Sequence, residues 1–451
     1  MRITSSVRWR ILSLLFAATT INYIDRNVLS FTMIDAGFKK EMMGIAQDAP
    51  LSQAVNDAFK IQMGYVDSAF KFTYAFGFLG MGWLIDRIGT KRGFSLGILL
   101  WSIAASLHAL AGSLGSLRWF RAALGIGEAA NFPAAIKTVA EWFPRKERAL
   151  ATGIFNAGAN VGIMITALLV PYLTLKYGWR ASFLVTGSLG LILLLAWRRF
   201  YYKPEQHPAL SRNERAYIQL DNQSKQAEED GPKIPWLHLL KFRQTWAFAV
   251  GKLMADPIWW FYLTWLPDFF NSNEALNQKL DLKTIGLPFL VIYIISDVGS
   301  VFFGWLSSRF LQMGWSLNRA RKTTLFICAL CVVPISLAST THSIYVAVAL
   351  ISLATAAHTG WAATMYTFAA DLFPRSAVAS VTGIGGMFGA IGGVVLAAVA
   401  GIIRVNYGYL PLFLIASLSY LIGWILINWI LPTMKKVELL QPMDVSQAQD
   451  Y

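Results

Sequence analysis

A chain of 451 residues that is 55% hydrophobic and only 14% charged has too little polar surface to cover a soluble globule, and the excess calls for lipid as solvent. Its formal net charge of +14 would suit nucleic acid. Here, however, Lys and Arg punctuate apolar runs instead of lining a groove, so the charge is read as membrane orientation and nucleic-acid binding is excluded.

Apolar length and breakers predict helical spans near 11–33, 62–84, 93–112, 115–141, 148–173 and 179–201, then 245–270, 284–310, 322–340, 342–372, 377–402 and 408–432. The first run follows Arg2, Arg8 and Arg10 as a secretory leader would. It lacks a small-residue cleavage site and carries Asp25-Arg26, so it is read as the first span. The mixed-charge stretch from Ile34 to Ile61 is read as a solvated loop in preference to a small outer cap. Ser211-Arg-Asn-Glu214 reads as a capping box that opens a short helix between spans six and seven. Cys328 and Cys331 share one apolar run with no His or acid beside them, which suits packing; no metal and no cofactor are expected.

Basic residues gather in alternate connections: the N-terminus, Arg87 to Arg92, Arg145 to Arg148, Arg198 to Arg243, Arg309 to Lys322, Arg375, and Lys435-Lys436. The positive-inside rule puts these, and both termini, in the cytoplasm. The organisation expected is a half at 1–202, a cytoplasmic linker with a short helix at 203–244, a second half at 245–434 and a cytoplasmic tail at 435–451.

The two halves echo one another. Glu141-Trp-Phe-Pro144-Arg145 returns as Asp371-Leu-Phe-Pro374-Arg375, and Ala149, Thr152 and Gly153 return as Ala379, Thr382 and Gly383, all at one offset. The expected fold is therefore an all-α membrane protein of twelve transmembrane helices, in two six-helix halves related by a pseudo-two-fold along the membrane normal. A solute site would lie between them.

Gly82-Trp-Leu-Ile-Asp86-Arg87-Ile-Gly89-Thr-Lys91-Arg92 resembles the signature of the major facilitator superfamily, and Gly304 to Arg309 is a weaker copy with Ser308 in place of the acid. Asn22-Tyr-Ile-Asp25-Arg26-Asn27, Arg121 to Pro133, Asp256-Pro257-Ile-Trp259, Ser296-Asp297-Val-Gly299 and Ala357-His358 resemble the anion:cation symporters within it, above all bacterial hexuronate transporters. The resemblance implies a monomeric plasma-membrane carrier that imports a sugar acid with H+. It also implies that Arg26 contacts the anion, that Asp25 and Glu128 take protons, that Arg121 couples to Glu128, and that Asp86, Arg87 and Arg148 belong to a cytoplasmic latch, with Asp86 near the start of span eleven. An exporter or exchanger of another organic anion, coupled to Na+ instead, stays open.

The residues support part of this independently. Arg121 and Glu128 are seven apart, so they share a face of span four about 10 Å apart along its axis. Ionisable groups at that depth are expensive and usually functional. They could be ion pairs that only join helices, but the Arg fork suits a carboxylate. Tyr74, Trp259, Tyr262 and His358 are candidate solute contacts or packing groups, and Asp297 is a second coupling candidate. Lys252 with Asp256, and Asp67 with Lys71, stand at i,i+4 and read as internal ion pairs. No catalytic constellation is found.

Overall fold

The computed structural model describes residues 7–223, 236–373 and 375–437, and every regular element in them is helical. The first part of the chain forms α1 (Val7–Thr32), α2 (Ala36–Met42), α3 (Gln53–Ile88), α4 (Thr90–Leu107), α5 (Leu114–Glu128), α6 (Asn131–Trp142), α7 (Arg145–Tyr177) and α8 (Trp179–Phe200). The short α9 (Arg212–Gln223) and α10 (Trp236–Leu239) lead to α11 (Arg243–Ser272), α12 (Gly286–Gln312) and α13 (Leu317–Val332), which a 3-10 stretch prolongs to Ser339. Then come α14 (Ile344–Leu372), α15 (Arg375–Tyr407) and α16 (Leu410–Ile430).

Local chemistry sets the boundaries. Gly89 takes φ +86°, which lets the chain reverse between α3 and α4 with no connecting loop. Ser52 and Ser316 cap α3 and α13 by accepting from the backbone N–H three residues on. Ser211 accepts from the Glu214 N–H at 3.2 Å, as a cap should. The expected box does not close, because the Glu214 carboxylate turns to Arg8 of α1, whose Nη1 donates at 3.4 Å.

The stretch after α1 departs from expectation. It folds α2 and docks it: Asp35 accepts from the Phe38 N–H at 2.8 Å, and the buried Phe38 ring meets Trp179 at 4.9 Å and Phe59 at 6.1 Å. Glu41 holds the other side, accepting from Trp179 Nε1 at 3.2 Å and from Arg180. Two helical turns are too few to show a hydrophobic period, which is why a loop reading preceded it.

Among the described residues eight helical segments, within α4, α7, α8 and α12–α16, are long and apolar enough to cross a bilayer. Large side chains such as Trp119, Leu195, Val301, Trp305 and Trp429 lie exposed on the outside, as lipid contact requires. The architecture is an all-α, multi-spanning membrane fold. The long helices that fall short, α1, α3 and α11, carry the buried charges Asp25, Arg26, Asp67, Lys71 and Lys252; span four, read as one helix, breaks after Glu128 into α5 and α6.

Helices from the first and the later part of the chain meet across the molecule: α1 packs on α11, α3 on α15, and α7 on α12. The contacts gather at the end where α2 sits. There one core cluster joins Phe31, Phe38 and Phe59 to Phe269, Phe270 and Phe289, whereas the second, with Ile11, Phe94, Trp142 and Trp197, holds buried residues from the first 218 alone. A Cβ added at Gly64 or Gly401 would collide with the backbone of α15 or α3. Toward the α9 end, Gly80, Gly153, Gly383 and Gly386 face open space. The molecule is closed at the α2 end and parted at the α9 end.

Candidate functional site

Arg26 occupies the centre. Its Nε donates to Glu128 Oε2 at 2.8 Å, joining α1 to the last residue of α5, and Nη2 donates to the Asn22 side chain at 3.3 Å. Four rings surround the guanidinium carbon: Tyr23 at 4.5 Å, Tyr74 at 4.9 Å, Phe70 at 5.4 Å and Trp260 at 5.5 Å. Aromatic faces stabilise a cation withdrawn from water, so Arg26 is held in place without its charge being fully quenched. Trp260 comes from α11, so helices from the first and the later part of the chain build the site together.

The backbone under Glu128 is tightly set. A Cβ at Gly125 would collide with Phe70 and Thr73 of α3, and one at Gly127 with Trp101 of α4. That close approach fixes the end of α5 against two helices and so fixes Glu128 beside Arg26.

The expected coupling of Arg121 to Glu128 takes another form. Arg121 Nη1 donates to the Arg26 carbonyl at 3.2 Å and its guanidinium lies 4.9 Å from Phe70, while the Glu128 ion pair is made with Arg26. Residues seven apart share a helix face, yet a partner on α1 reaches the carboxylate from across the groove. Arg121 braces the backbone of the residue that binds Glu128.

Asp25 projects from α1 about 100° round the helix from Arg26, within electrostatic reach of Glu128. Both its carboxylate oxygens are buried without a hydrogen-bond partner among the described residues, and Thr186 of α8 lies beside it without well-formed geometry. Below Trp260, Lys71 bridges Asp67 at 2.6 Å and sits 5.3 Å from the Trp260 ring, and Thr264 donates to Asp67 at 3.1 Å. Lys252 bridges Asp256 at 2.9 Å. Both i,i+4 couples are the ion pairs that their spacing indicated.

Several sequence candidates lie elsewhere. Trp259 stacks on His358 at 4.7 Å and meets Tyr293, away from Arg26. His358 Nδ1 is hydrogen-bonded to the Tyr420 hydroxyl at 2.6 Å. Tyr262 is fully buried with its hydroxyl unpartnered among the described residues. Asp297 of α12 accepts from Asn160 of α7, a contact between the two groups of helices. Asp86 accepts from Lys137 of α6 at 2.6 Å, and Arg87 lies 5.2 Å over the Trp83 ring. Arg148 lies in the first turn of α7, but its side chain lies outside the described residues, as do those of Arg375 and Ser376 at the start of α15.

Asp268 escaped the sequence reading. Near the closed end it accepts from the Tyr409 hydroxyl at 2.5 Å and the Ser272 hydroxyl at 3.0 Å, with Lys60 of α3 and Arg404 of α15 each 3.9 Å away. Its one signal was a lone acid inside the aromatic run Trp265-Leu-Pro-Asp268-Phe-Phe270.

Buried charges gathered on the least apolar helices, between groups of apolar ones that part at one end, are the makings of a membrane carrier. The chain belongs to the Major Facilitator Superfamily, whose family model matches residues 15–396. It is similar to the hexuronate transporter of Escherichia coli (strain K12), 28% identical over 442 residues that cover 98% of each chain. It is also similar to the galacturonate transporter of Dickeya chrysanthemi, 30% identical over 345 residues, 76% of this chain and 94% of that one. In fold it matches a bacterial homologue of the human lysosomal transporter Spinster in an inward-facing, unoccupied conformation, with TM-score 0.72, 17% identity and coverage of 97% of this chain and 100% of that one. A D-xylose-proton symporter matches with TM-score 0.70 at 14% identity, covering 96% and 100%. The protein is thus a multi-pass secondary transporter of a small polar or charged solute in the plasma membrane, and not an enzyme.

Proposed function

We propose that this carrier imports a sugar acid, a hexuronate such as glucuronate or galacturonate, together with H+. The observation that carries the reading is Arg26 held by Glu128 inside four aromatic rings, with Asp25 buried and unpartnered one residue away. A guanidinium fork recognises a carboxylate, and aromatic faces suit a sugar ring. While Glu128 is ionised it competes with the solute for Arg26. Once Glu128 is protonated, its charge no longer opposes a solute carboxylate there, so proton and anion favour each other's binding. Asp25 is the second proton carrier, since an unpartnered buried carboxylate is expensive and its acid form far less so.

The helices fit twelve spans in two six-helix halves. α1, α3, α4, α5 with α6, α7 and α8 make the first half, and α11 to α16 the second, with the linker at 203–244 between them. In support, α7 and α15 are both 33 residues long and begin 230 residues apart, and α6 and α14 end at Trp142 and Leu372, the same distance apart. By the basic connections the α9 end is cytoplasmic, so the shape is inward-open and both termini are cytoplasmic.

Purified protein in proteoliposomes tests this. Labelled glucuronate or galacturonate should accumulate under an inward pH gradient, saturate, and be discharged by a protonophore. Uptake that follows an imposed Na+ gradient and ignores pH would overturn the proton assignment. Relatives named for galactarate/D-glucarate and D-galactonate make aldarates and aldonates the competitors to include.

A further inference from the structure

Facing the Arg26 cage from the other group of helices is a polar cluster with no part in the scheme above. Lys252 and Asp256 of α11 form a buried ion pair, and Lys252 Nζ also donates to the Tyr366 hydroxyl of α14 at 3.5 Å, with the ammonium 4.9 Å from the Tyr366 ring. The backbone of α15 at Gly389 passes so close to Asp256 that any side chain there would strike its carboxylate. Gly385, one turn earlier, leaves the room that Phe248 and the Lys252 stem occupy. Three helices thus hold a charge pair whose outlet is one phenol hydroxyl.

Tyr366 is half exposed although Lys252, its charged neighbour, is buried. It lies within electrostatic reach of Tyr23 and Tyr74, two of the rings that enclose Arg26. Those rings belong to α1 and α3, so Tyr366 faces the parted groove and not lipid. Lys252 stands eight residues before Trp260, about 12 Å along α11 toward the open end. A solute anchored by its carboxylate at Arg26 would therefore present its far end to Tyr366.

We propose that Tyr366, positioned by the Lys252–Asp256 pair, reads the hydroxyl groups of the sugar acid remote from its carboxylate and so sets the length and stereochemistry of solute that the carrier accepts. This rests on the sugar-acid reading above. A phenol fixed by an ammonium can both donate to and accept from a hydroxyl, and a site built to bond a hydroxyl rejects analogues that lack it. The pair supplies geometry: Lys252 and Asp256 act through Tyr366 as positioning residues.

The test is a titration of ligand-induced stabilisation of the purified full-length carrier, which reports folding and affinity together. The ligands are galacturonate, glucuronate and glycolate, the last carrying a carboxylate but no distant hydroxyls. Tyr366→Phe should weaken binding of the preferred hexuronate about tenfold and leave glycolate unchanged. The double substitution Lys252→Met with Asp256→Asn, which leaves no buried charge unpaired, should reproduce that selective loss, and adding Tyr366→Phe to it should cost little more. Arg26→Met should weaken all three acids. A hexuronate-to-glycolate ratio in Tyr366→Phe equal to that of the unaltered protein would overturn the proposal, and equal weakening of all acids by the double substitution would overturn the positioning role. If the unaltered carrier binds glycolate and neither hexuronate, the sugar-acid reading itself fails and takes this inference with it.

Discussion

Arg26 Nε and Glu128 Oε2 meet at 2.8 Å, joining the middle of the site on α1 to the terminal residue of α5, where the helix breaks. The bond makes the solute's anchor and the proton's acceptor one unit. Glu128→Gln should abolish accumulation driven by a pH gradient while exchange between preloaded pools persists. Arg26→Lys keeps the charge but loses the fork, and should lower exchange at least tenfold. Both are read from tracer flux, and undiminished gradient-driven uptake by Glu128→Gln would refute the assignment.

Trp260, and not its neighbour Trp259, touches Arg26. Trp260→Ala should raise KM about tenfold with a modest change in melting temperature, in line with the loss of a partly desolvated cation–π contact of about 1–2 kcal/mol. Trp259→Ala removes a ring stacked on His358 and should act chiefly on stability. Comparing KM with thermal unfolding in the two variants checks the distinction.

Asp268 ties α11 to α3 and α15 at the closed end. Asp268→Asn leaves Lys60 and Arg404 facing each other without a counterion, a disruption worth about 3 kcal/mol for a buried group. The closed end should open more often, so a cysteine introduced near Gly64 should react faster with a membrane-impermeant thiol reagent than in the parent. Equal reaction rates would show that Asp268 does not hold this end.

The α2 cap is pH-dependent in a defined sense. The Arg180 guanidinium bonded to Glu41 holds its carboxyl below the usual glutamate range, with Trp179 assisting. A depressed folded value means that the stabilisation is complete above the ordinary glutamate pKa and is lost as pH falls through the lower folded one. Amide protection over 36–42, taken relative to the intrinsic exchange rate at each pH, should therefore hold at neutral pH and fall in acid below that range, and Glu41→Gln should remove that fall.

Asp86 and Lys137 form an exposed pair, and pairs of that kind contribute about 0–1 kcal/mol. Asp86→Asn should leave the unfolding temperature unchanged. A change in turnover in the same variant would support its part in a latch, and unchanged kinetics would count against it.

The sequence was informative where physics leaves a repeating or costly mark. The apolar runs, the offset between Pro144 and Pro374, and the intramembrane Asp25, Arg26, Arg121 and Glu128 were all visible, because lipid makes length and charge conspicuous. Partnership was not. Helical spacing put Arg121 and Glu128 on one face but could not say that Arg26 would arrive from α1, nor that Trp260 and not Trp259 would turn toward it. That choice depends on the rotation of α11 about its axis, which packing against α15 and α16 decides. Asp268 lay in plain sight beside Pro267, but a single acid near a span end looks like an ordinary boundary until its neighbours are placed.

Gly64 and Gly401 close the α2 end with bare backbone against backbone. At the two glycines themselves the contact is one of fit, with no side chains to unthread and no rotamers to reset, and the charges that lock it, Asp268 with Lys60 and Arg404, stand beside it. Backbone faces of that kind can come apart and re-form with little hysteresis. Sensitivity to cargo and to pH is thereby confined to a handful of charged groups, and the hinge-like surfaces they control need only be smooth.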